Sequence, residues 1–381
     1  MNQSALVAPG PELAPEELAR YSRHLSLPGV GEEGQRRIAN AKVLVIGAGG
    51  LGSPIASYLV AAGIGTLGVV DHDTVELSNL QRQTMHRQQD VGRLKVESVR
   101  RMAHEQNRNV RVIAVDGKLD ETNAVALFSD YDLVIDGSDN FATRYLSNDA
   151  AEITGTPLVW GTLFQFSGQV SVFDPRTGPM LRDLFPEIPD ADSVPSCAEG
   201  GVFGALCGVI GSVMCTEALK LITGIGTTLS GKLWLYDARE ASVRTLNFAR
   251  DPQREPVSRL GEYQPASCAV DGHVPEISVE QLADLEAEEP VLLVDVREAW
   301  EREIIAIPHS QPLPLAQLEE QGLGGLAQDA SAIVFVCKTG VRSQRAARIA
   351  RSDLQPAVQV YSLSGGTVEW ARQVQGQQVA Y

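Results

Sequence analysis

The sequence has few cysteines, few aromatic residues, no excess of positive charge and no long uninterrupted apolar run. Its five cysteines among 381 residues, Cys197, Cys207, Cys215, Cys268 and Cys337, are odd in number and include no CxxC pair, which argues against a disulfide framework and a cysteine zinc site. The N-terminus, MNQSALVAPGPELAPEELAR, lacks the basic start and apolar stretch of a secretion signal, so a cytoplasmic, reducing location is expected. The most apolar segment, Gly201 to Cys215, is about 15 residues long and ends at Glu217 and Lys220. That is short of a membrane span, and it reads as a buried helix. Basic side chains number 32 against 48 acidic ones, a formal net charge of −16. Such a field repels phosphate polymers and anionic lipid, so neither nucleic acid nor membrane is an expected partner.

What is present suits two α/β domains. With 44% hydrophobic and 21% charged residues, the chain has the apolar content to fold without staples, and its length exceeds one ordinary core. From Lys42 a strand (KVLVIG), a glycine-rich turn, an apolar helix to about Ala62 and a second strand (TLGVVD) make a βαβ unit, and the alternation continues to Asp136, predicting a Rossmann-like doubly wound sheet. The later runs LVWGTL, QVSVFDP, KLWLYDA and VRTLNF read as antiparallel additions. Residues 1–250 are read as the first domain and 251–276, rich in turn residues, as a linker. Residues 277–381 repeat a βα alternation on a smaller scale.

GAGGLG at 47 to 52 follows a strand and opens a helix. Glycines 47, 49 and 50 there permit close backbone approach, and a helix N-terminus attracts phosphate. Asp71, ending the second strand, is placed to take both ribose hydroxyls. These two features alone favour an NAD-dependent oxidoreductase. Arg82, Arg87, Arg93, Lys95, Arg100 and Arg101 crowd one stretch against only Asp90 and Glu97, which is either a local anion site or a solvated helix face.

Taken with GAGGLG, the segments DHDTVELSNLQRQ (71 to 83), Lys95 in VGRLKVES, DGSDN (136 to 140), RYSRHL (20 to 25) and SCAEGGV (196 to 202) resemble the ubiquitin-activating-enzyme-like adenylyltransferases of the MoeB/ThiF family, over about Arg20 to Phe248. The resemblance implies ATP-dependent activation of a carboxylate. Gly50 would approach the nucleotide, Asp71 would hold the ribose, and Ser78, Asn79, Arg82 and Lys95 would surround the phosphates. Asp139 would bind magnesium with Asn140 beside it, and Arg23, supplied by a second copy, would complete the site of a homodimer. Taken singly, Lys95 could be a surface lysine and Asp139 a turn residue or helix cap. The family's usual zinc site is missing: MLRDLFP has Met180 and Asp183 where relatives carry one cysteine pair, and RDPQREPVS lacks the second. No zinc is therefore expected, and packing or hydrogen bonds must brace that region. Cys197 occupies the position of a family cysteine used in release or covalent transfer; buried packing is the plainer alternative. Cys207 and Cys215, within the apolar helix, are expected in the core.

In the last part, CKTGVRS at 337 to 343 follows an apolar strand and precedes a helical pattern. Backbone N–H groups and a helix dipole there suit a thiolate or persulfide on Cys337. With LLVDVREAWE (292 to 301) and LSGGTVEWA (363 to 371) it resembles a rhodanese domain from about Ile277, in which Lys338 and Arg342 add positive charge near the sulfur. Only four residues separate Cys337 from Arg342, one fewer than in related tyrosine phosphatases, and a tighter cradle suits sulfur. Together the two resemblances imply adenylation of the C-terminal glycine of a small ubiquitin-like sulfur carrier ending in Gly-Gly. Sulfur would follow from a Cys337 persulfide charged by an upstream donor, a cysteine desulfurase or thiosulfate, giving a carrier thiocarboxylate. The other readings are an oxidoreductase and a carrier-binding scaffold without chemistry. Molybdopterin, cysteine, thiamin, thiolated tRNA and secondary-metabolite synthesis all use such carriers, and the carrier decides among them.

Overall fold

Val43, Leu44, Val45 and Ile46 form an unbroken apolar run, as a strand covered on both faces requires. They belong to β1 (Lys42–Ile46), and all four are buried. In the computed structural model, which describes residues 4–189, 201–263, 274–327, 330–354, 358–377 and 379, β1 lies parallel between β2 (Thr66–Asp71) and β4 (Leu133–Asp136). Adding β3 (Arg111–Asp116), β5 (Leu158–Phe164), β6 (Ser167–Phe173), β7 (Lys232–Asp237) and β8 (Ser242–Asn247), the order across this first sheet is β3-β2-β1-β4-β5-β6-β7-β8. Strand alternation divides the core. Val43 and Val45 pack with Ile55, Leu59, Ile210 and Met214 on one face, and Leu44 and Ile46 with Phe128 and Leu146 on the other.

One expectation about strand direction fails. The run LVWGTL is not an antiparallel addition: β5 pairs parallel with β4, with Val134 opposite Leu158, because the helix Phe141–Thr154 returns the chain to the starting edge before β5 begins. Reversal comes one turn later, at Gln165, whose φ is 52°, and β6, β7 and β8 then run antiparallel. The apolar segment is also longer than read. It is a 20-residue helix, Gly204–Thr223, which by length and composition alone suffices to cross a membrane. Here it is a core helix. Leu206, Cys207, Ile210, Met214, Leu221 and Ile222 are buried. Glu217 does not end it, because its buried carboxylate accepts hydrogen bonds from Lys220 Nζ at 2.5 Å and Leu229 N–H at 2.7 Å.

Where the sequence lacks cysteine pairs, ion pairs join the same two segments. Arg254 donates from Nε to Asp183 at 2.7 Å and from both terminal nitrogens to Glu152 at 3.0 Å. Nearby, Arg182 clamps Asp149 at 2.7 and 2.8 Å, and the Tyr263 hydroxyl donates to the same carboxylate at 2.9 Å. Residues 251–263, read as the start of a linker, contain no helix or strand, yet Arg254 and Tyr263 fasten them to the first unit. The chain forms two compact units, Met1–Pro265 and Ala266–Tyr381.

The second unit has its own sheet of β9 (Glu276–Ile277), β10 (Val291–Asp295), β11 (Gln311–Pro312), β12 (Ala332–Val336) and β13 (Gln359–Leu363). The order is β11-β10-β12-β13-β9, parallel throughout. All five residues of β12 are buried, and the strand delivers Cys337 at its C-terminal end, where open parallel sheets bind ligands.

Candidate active sites

In the first unit the chain leaves β1 through Gly47, whose φ of 88° suits only glycine without strain, and enters the helix Gly52–Ala62. A Cβ on Gly52 would stand 2.0 Å from the Gly47 carbonyl oxygen, so the loop folds tightly on itself. Asp71, at the end of β2, accepts the Ala48 N–H at 2.7 Å on one oxygen and the Asp73 N–H at 2.8 Å on the other. A carboxylate has lone pairs beyond these two, so Asp71 orders the loop and can still receive hydroxyls. The cavity in front measures about 510 Å³, and Gly49, Gly50, Asp71, Arg82, Lys95 and Asp139 are among its lining residues, a size that suits a nucleotide.

Lys95 is no surface lysine. It is buried, and its amine donates to Asp73 at 2.8 Å. Burial would raise the Asp73 carboxyl, but the hydrogen bond and charge of Lys95 outweigh it and hold it below the ordinary carboxylate range. The basic stretch is largely neutralised: Arg87 pairs with Glu105, Arg100 with Glu97 and Arg101 with Asp90, and Arg82 donates to the Ser78 carbonyl at 3.0 Å. Asp139 is exposed at the cavity, and Asn140 caps the helix Phe141–Thr154, its side chain accepting the Thr143 N–H at 2.9 Å. One carboxylate facing a phosphate site is a donor set that fits magnesium, which takes few protein ligands and completes its shell with phosphate and water.

The fold brings Gly47, Gly49, Gly50, Asp71, Arg82, Lys95, Asp139 and Asn140 to one cavity. Ser78 and Asn79 stand back from its wall; Ser78 bonds the Glu76 carboxylate at 3.2 Å and Asn79 the Glu76 N–H at 3.2 Å. Arg23 is exposed on the short helix Ser22–Leu25. Cys197 and Cys268 lie outside the described residues. Cys215 is buried as expected, its thiol pushed up to about 12 by desolvation. Cys207, expected only as core, also lines the cavity, its Sγ 2.9 Å from where a Cβ on Gly50 would be. Sequence reasoning also missed Gln83, a lining residue whose buried Oε1 has no hydrogen-bond partner among the described residues. The QRQ run gave a signal for it.

In the second unit Cys337 is 1% exposed. The Gly340 N–H donates to its Sγ at 3.1 Å, and the Ser343 hydroxyl lies 3.5 Å from it. Gly340, with φ 115°, opens the helix Val341–Asp353, so backbone dipole and N–H both face the sulfur. From the far side the LSGG turn closes in: Thr367 N–H donates to the Cys337 carbonyl at 2.8 Å, and a Cβ on Gly366 would lie 2.3 Å from that oxygen. Arg342 makes paired bonds of 2.7 and 2.6 Å with Glu301, a residue that is itself buried. Its charge is thus shared with a carboxylate. Arg297 of the DVRE run is wholly buried, clasping Asp295 at 2.9 and 2.7 Å, and serves as a brace.

Residues 21–257 match the ThiF family and residues 278–373 the rhodanese-like domain. The chain is 47% identical to a probable adenylyltransferase/sulfurtransferase MoeZ of Mycobacterium tuberculosis, over 99% of this chain and 98% of that one. It is 52% identical to a sulfur carrier protein adenylyltransferase of Thermus thermophilus over 62% of this chain and 90% of that one. It is 38% identical to the adenylyltransferase and sulfurtransferase MOCS3 of Sus scrofa over 97% of this chain and 88% of that one. Among solved structures, E. coli MccB with ATP superposes with a TM-score of 0.56 at 20% identity, covering 63% of this chain and 74% of that one, a likeness of fold.

Proposed function

Because this chain belongs to the ThiF family and carries a rhodanese-like domain after it, we propose that it activates the C-terminal glycine of a small ubiquitin-like sulfur carrier with ATP and then replaces the activated oxygen with sulfur. It is an adenylyltransferase and a sulfurtransferase. The observation that carries the reading is a single cavity where the glycine loop, Asp71, Arg82, Lys95 and Asp139 meet, paired with a cysteine whose sulfur receives a loop N–H.

In the first step the carrier carboxylate attacks the α-phosphorus, and the bond to the β-phosphate breaks, giving an acyl-adenylate and pyrophosphate. Asp71 orients the ribose, and Arg82 and Lys95 stabilise charge on the departing pyrophosphate. Asp139 would hold Mg²⁺, which supplies charge neutralisation at the phosphates. In the second step the terminal sulfur of a Cys337 persulfide attacks the acyl carbon, and AMP leaves. The resulting acyl disulfide is cleaved when the Cys197 thiolate takes the Cys337 sulfur, releasing the carrier thiocarboxylate and leaving a Cys197–Cys337 disulfide for reductants to reopen. A thioester through Cys197 is the other route. Sulfur reaches Cys337 from a cysteine desulfurase or thiosulfate. Arg23 from a second copy completes the nucleotide site of a homodimer, and free thiols suit the cytoplasm. The ion pairs of Arg254 serve where relatives use zinc.

The test supplies ATP, magnesium and a Gly-Gly carrier, and follows carrier-dependent pyrophosphate exchange and the carrier's mass. Asp139→Ala is expected to lower exchange by roughly 100-fold or more. Cys337→Ala should exchange normally and leave the carrier without sulfur. The reading fails if Cys337→Ala also loses exchange, or if no Gly-Gly carrier supports it.

A further inference from the structure

His86 is 5% exposed and is not among the residues lining the nucleotide cavity. Its Nε2 lies 2.9 Å from the Ala48 carbonyl oxygen, and its Nδ1 lies 2.8 Å from Ser98 Oγ. A carbonyl only accepts, so Nε2 carries the proton. Nδ1 faces the Ser98 hydroxyl. Ser98 Oγ in turn receives Arg101 Nη2 at 3.2 Å and lies 3.1 Å from Asp90, whose fully buried carboxylate is clasped by Arg101.

Ala48 is the second residue of the glycine loop, and it is held at both ends. Its N–H goes to Asp71 at 2.7 Å, and its carbonyl goes to His86. In a planar trans peptide the carbonyl and the following N–H point in opposite directions. Tying the Ala48 carbonyl to His86 therefore aims the Gly49 N–H away from the ring, and Gly49 is one of the residues lining the cavity. We propose that His86 is a positioning residue for nucleotide binding, which through Ala48 fixes the direction in which the glycine loop presents its N–H groups to a triphosphate. This rests on the reading of the cavity as an ATP site. Burial holds the imidazole below its ordinary value; the charged groups acting on it are Lys95, which lowers it further, and Asp90 and Asp71, which oppose.

The experiment measures binding of a non-hydrolysable ATP analogue with magnesium to the full-length protein, which needs no carrier, alongside KM and kcat for exchange. His86→Phe keeps the ring volume and removes both polar nitrogens. It should weaken analogue binding and raise KM for ATP by about tenfold, with kcat changed by less than about twofold. His86→Gln, whose amide nitrogen reaches as Nε2 does, should stay within about threefold of wild type, and Ser98→Ala should lose about threefold. Wild-type affinity in folded His86→Phe overturns the proposal, as does a His86→Gln as weak as His86→Phe. Should His86→Phe not fold, unchanged affinity in Ser98→Ala overturns it equally. If no carrier supports exchange while analogue affinity follows the series, the carrier reading falls and this one stands.

Discussion

The loop at Gly47–Gly50 fronts a cavity of about 510 Å³ with Arg82 and Lys95 on its wall, whereas the loop after Cys337 closes on one sulfur that is 1% exposed. On the proposed reading the first receives a large, multiply charged ligand. Asp73 gives Lys95 a counter-charge, so that cation is already paired. The second faces one sulfur with a backbone N–H from Gly340, and the guanidinium of Arg342 is engaged by Glu301. The proposed reading thus assigns the larger anion to side-chain charge and the smaller one to backbone dipoles.

The sharpest way to break the comparison is to add one methyl group at each loop. In Gly52→Ala the new Cβ would stand 2.0 Å from the Gly47 carbonyl oxygen, a backbone clash no rotamer relieves. Exchange should fall by roughly 100-fold or more, while thiosulfate-dependent sulfur loading of Cys337, read by mass, persists. Gly366→Ala should do the reverse. Its Cβ would lie 2.3 Å from the Cys337 carbonyl oxygen, at a φ of +58°, so loading is lost and exchange survives. If either variant removed both activities, the loops could not be treated as separate devices.

The same pair shows what the sequence made legible. Buried parallel strands appear as apolar runs, so β1, β2 and β4 could be read directly, and GAGGLG and Asp71 followed from the strand–turn–helix pattern, whereas Lys95 and Asp139 were legible only through the family resemblance. The direction of β5 could not be read, because the preceding helix buries Arg144, Ser147, Asn148 and Asp149, which blurs the apolar period that would have announced it. Glu217 misled for the same reason: a buried, fully bonded carboxylate looks in sequence like a helix end. Asp73 and His86 had no signature, since their roles exist only once the chain brings Lys95 and Ala48 to them. The basic stretch, open to reading as an anion site or a solvated helix face, divides between the two: Arg82 and Lys95 line the cavity, while Arg87 and Arg100 pair with Glu105 and Glu97 on the surface.

A smaller effect tests what holds the first unit's frame. In Arg254→Ala, Glu152 and Asp183, whose side chains are 3% and 0% exposed, lose their shared cation, at a cost of about 3 kcal/mol. The first unit's thermal midpoint should drop, and a zinc chelator should leave the wild-type midpoint unchanged. Burial would raise the Asp183 carboxyl, but Arg254 and two backbone N–H groups hold it below the ordinary range. A depressed folded value gives stability that is present above the unfolded value and is lost as pH falls through the folded one. Acidification below the ordinary carboxylate range should therefore weaken wild type more than Arg254→Ala. A midpoint lowered by chelator would identify a metal, not these ion pairs, as the brace.

The smallest expected effect sharpens the contrast at the sulfur. Glu301→Gln keeps the shape of the contact with Arg342 and removes its charge, so about 1 kcal/mol of stability should be lost. The guanidinium then acts on the sulfur loop without a counter-charge. Loading of Cys337 by the thiosulfate anion should speed up by about threefold, and the gain should fade in high salt, because it is electrostatic. Burial would raise the Glu301 carboxyl, but the hydrogen bonds from Arg342 and the Glu298 N–H outweigh it and hold it below the ordinary range. Glu301 therefore stays charged across neutral pH, and its contribution goes only as pH falls through that depressed value. At such acidity wild type and Glu301→Gln should load at converging rates. Equal rates at neutral pH and low salt would instead mean that the Arg342 charge does not reach the sulfur, leaving backbone dipoles alone to hold the anion.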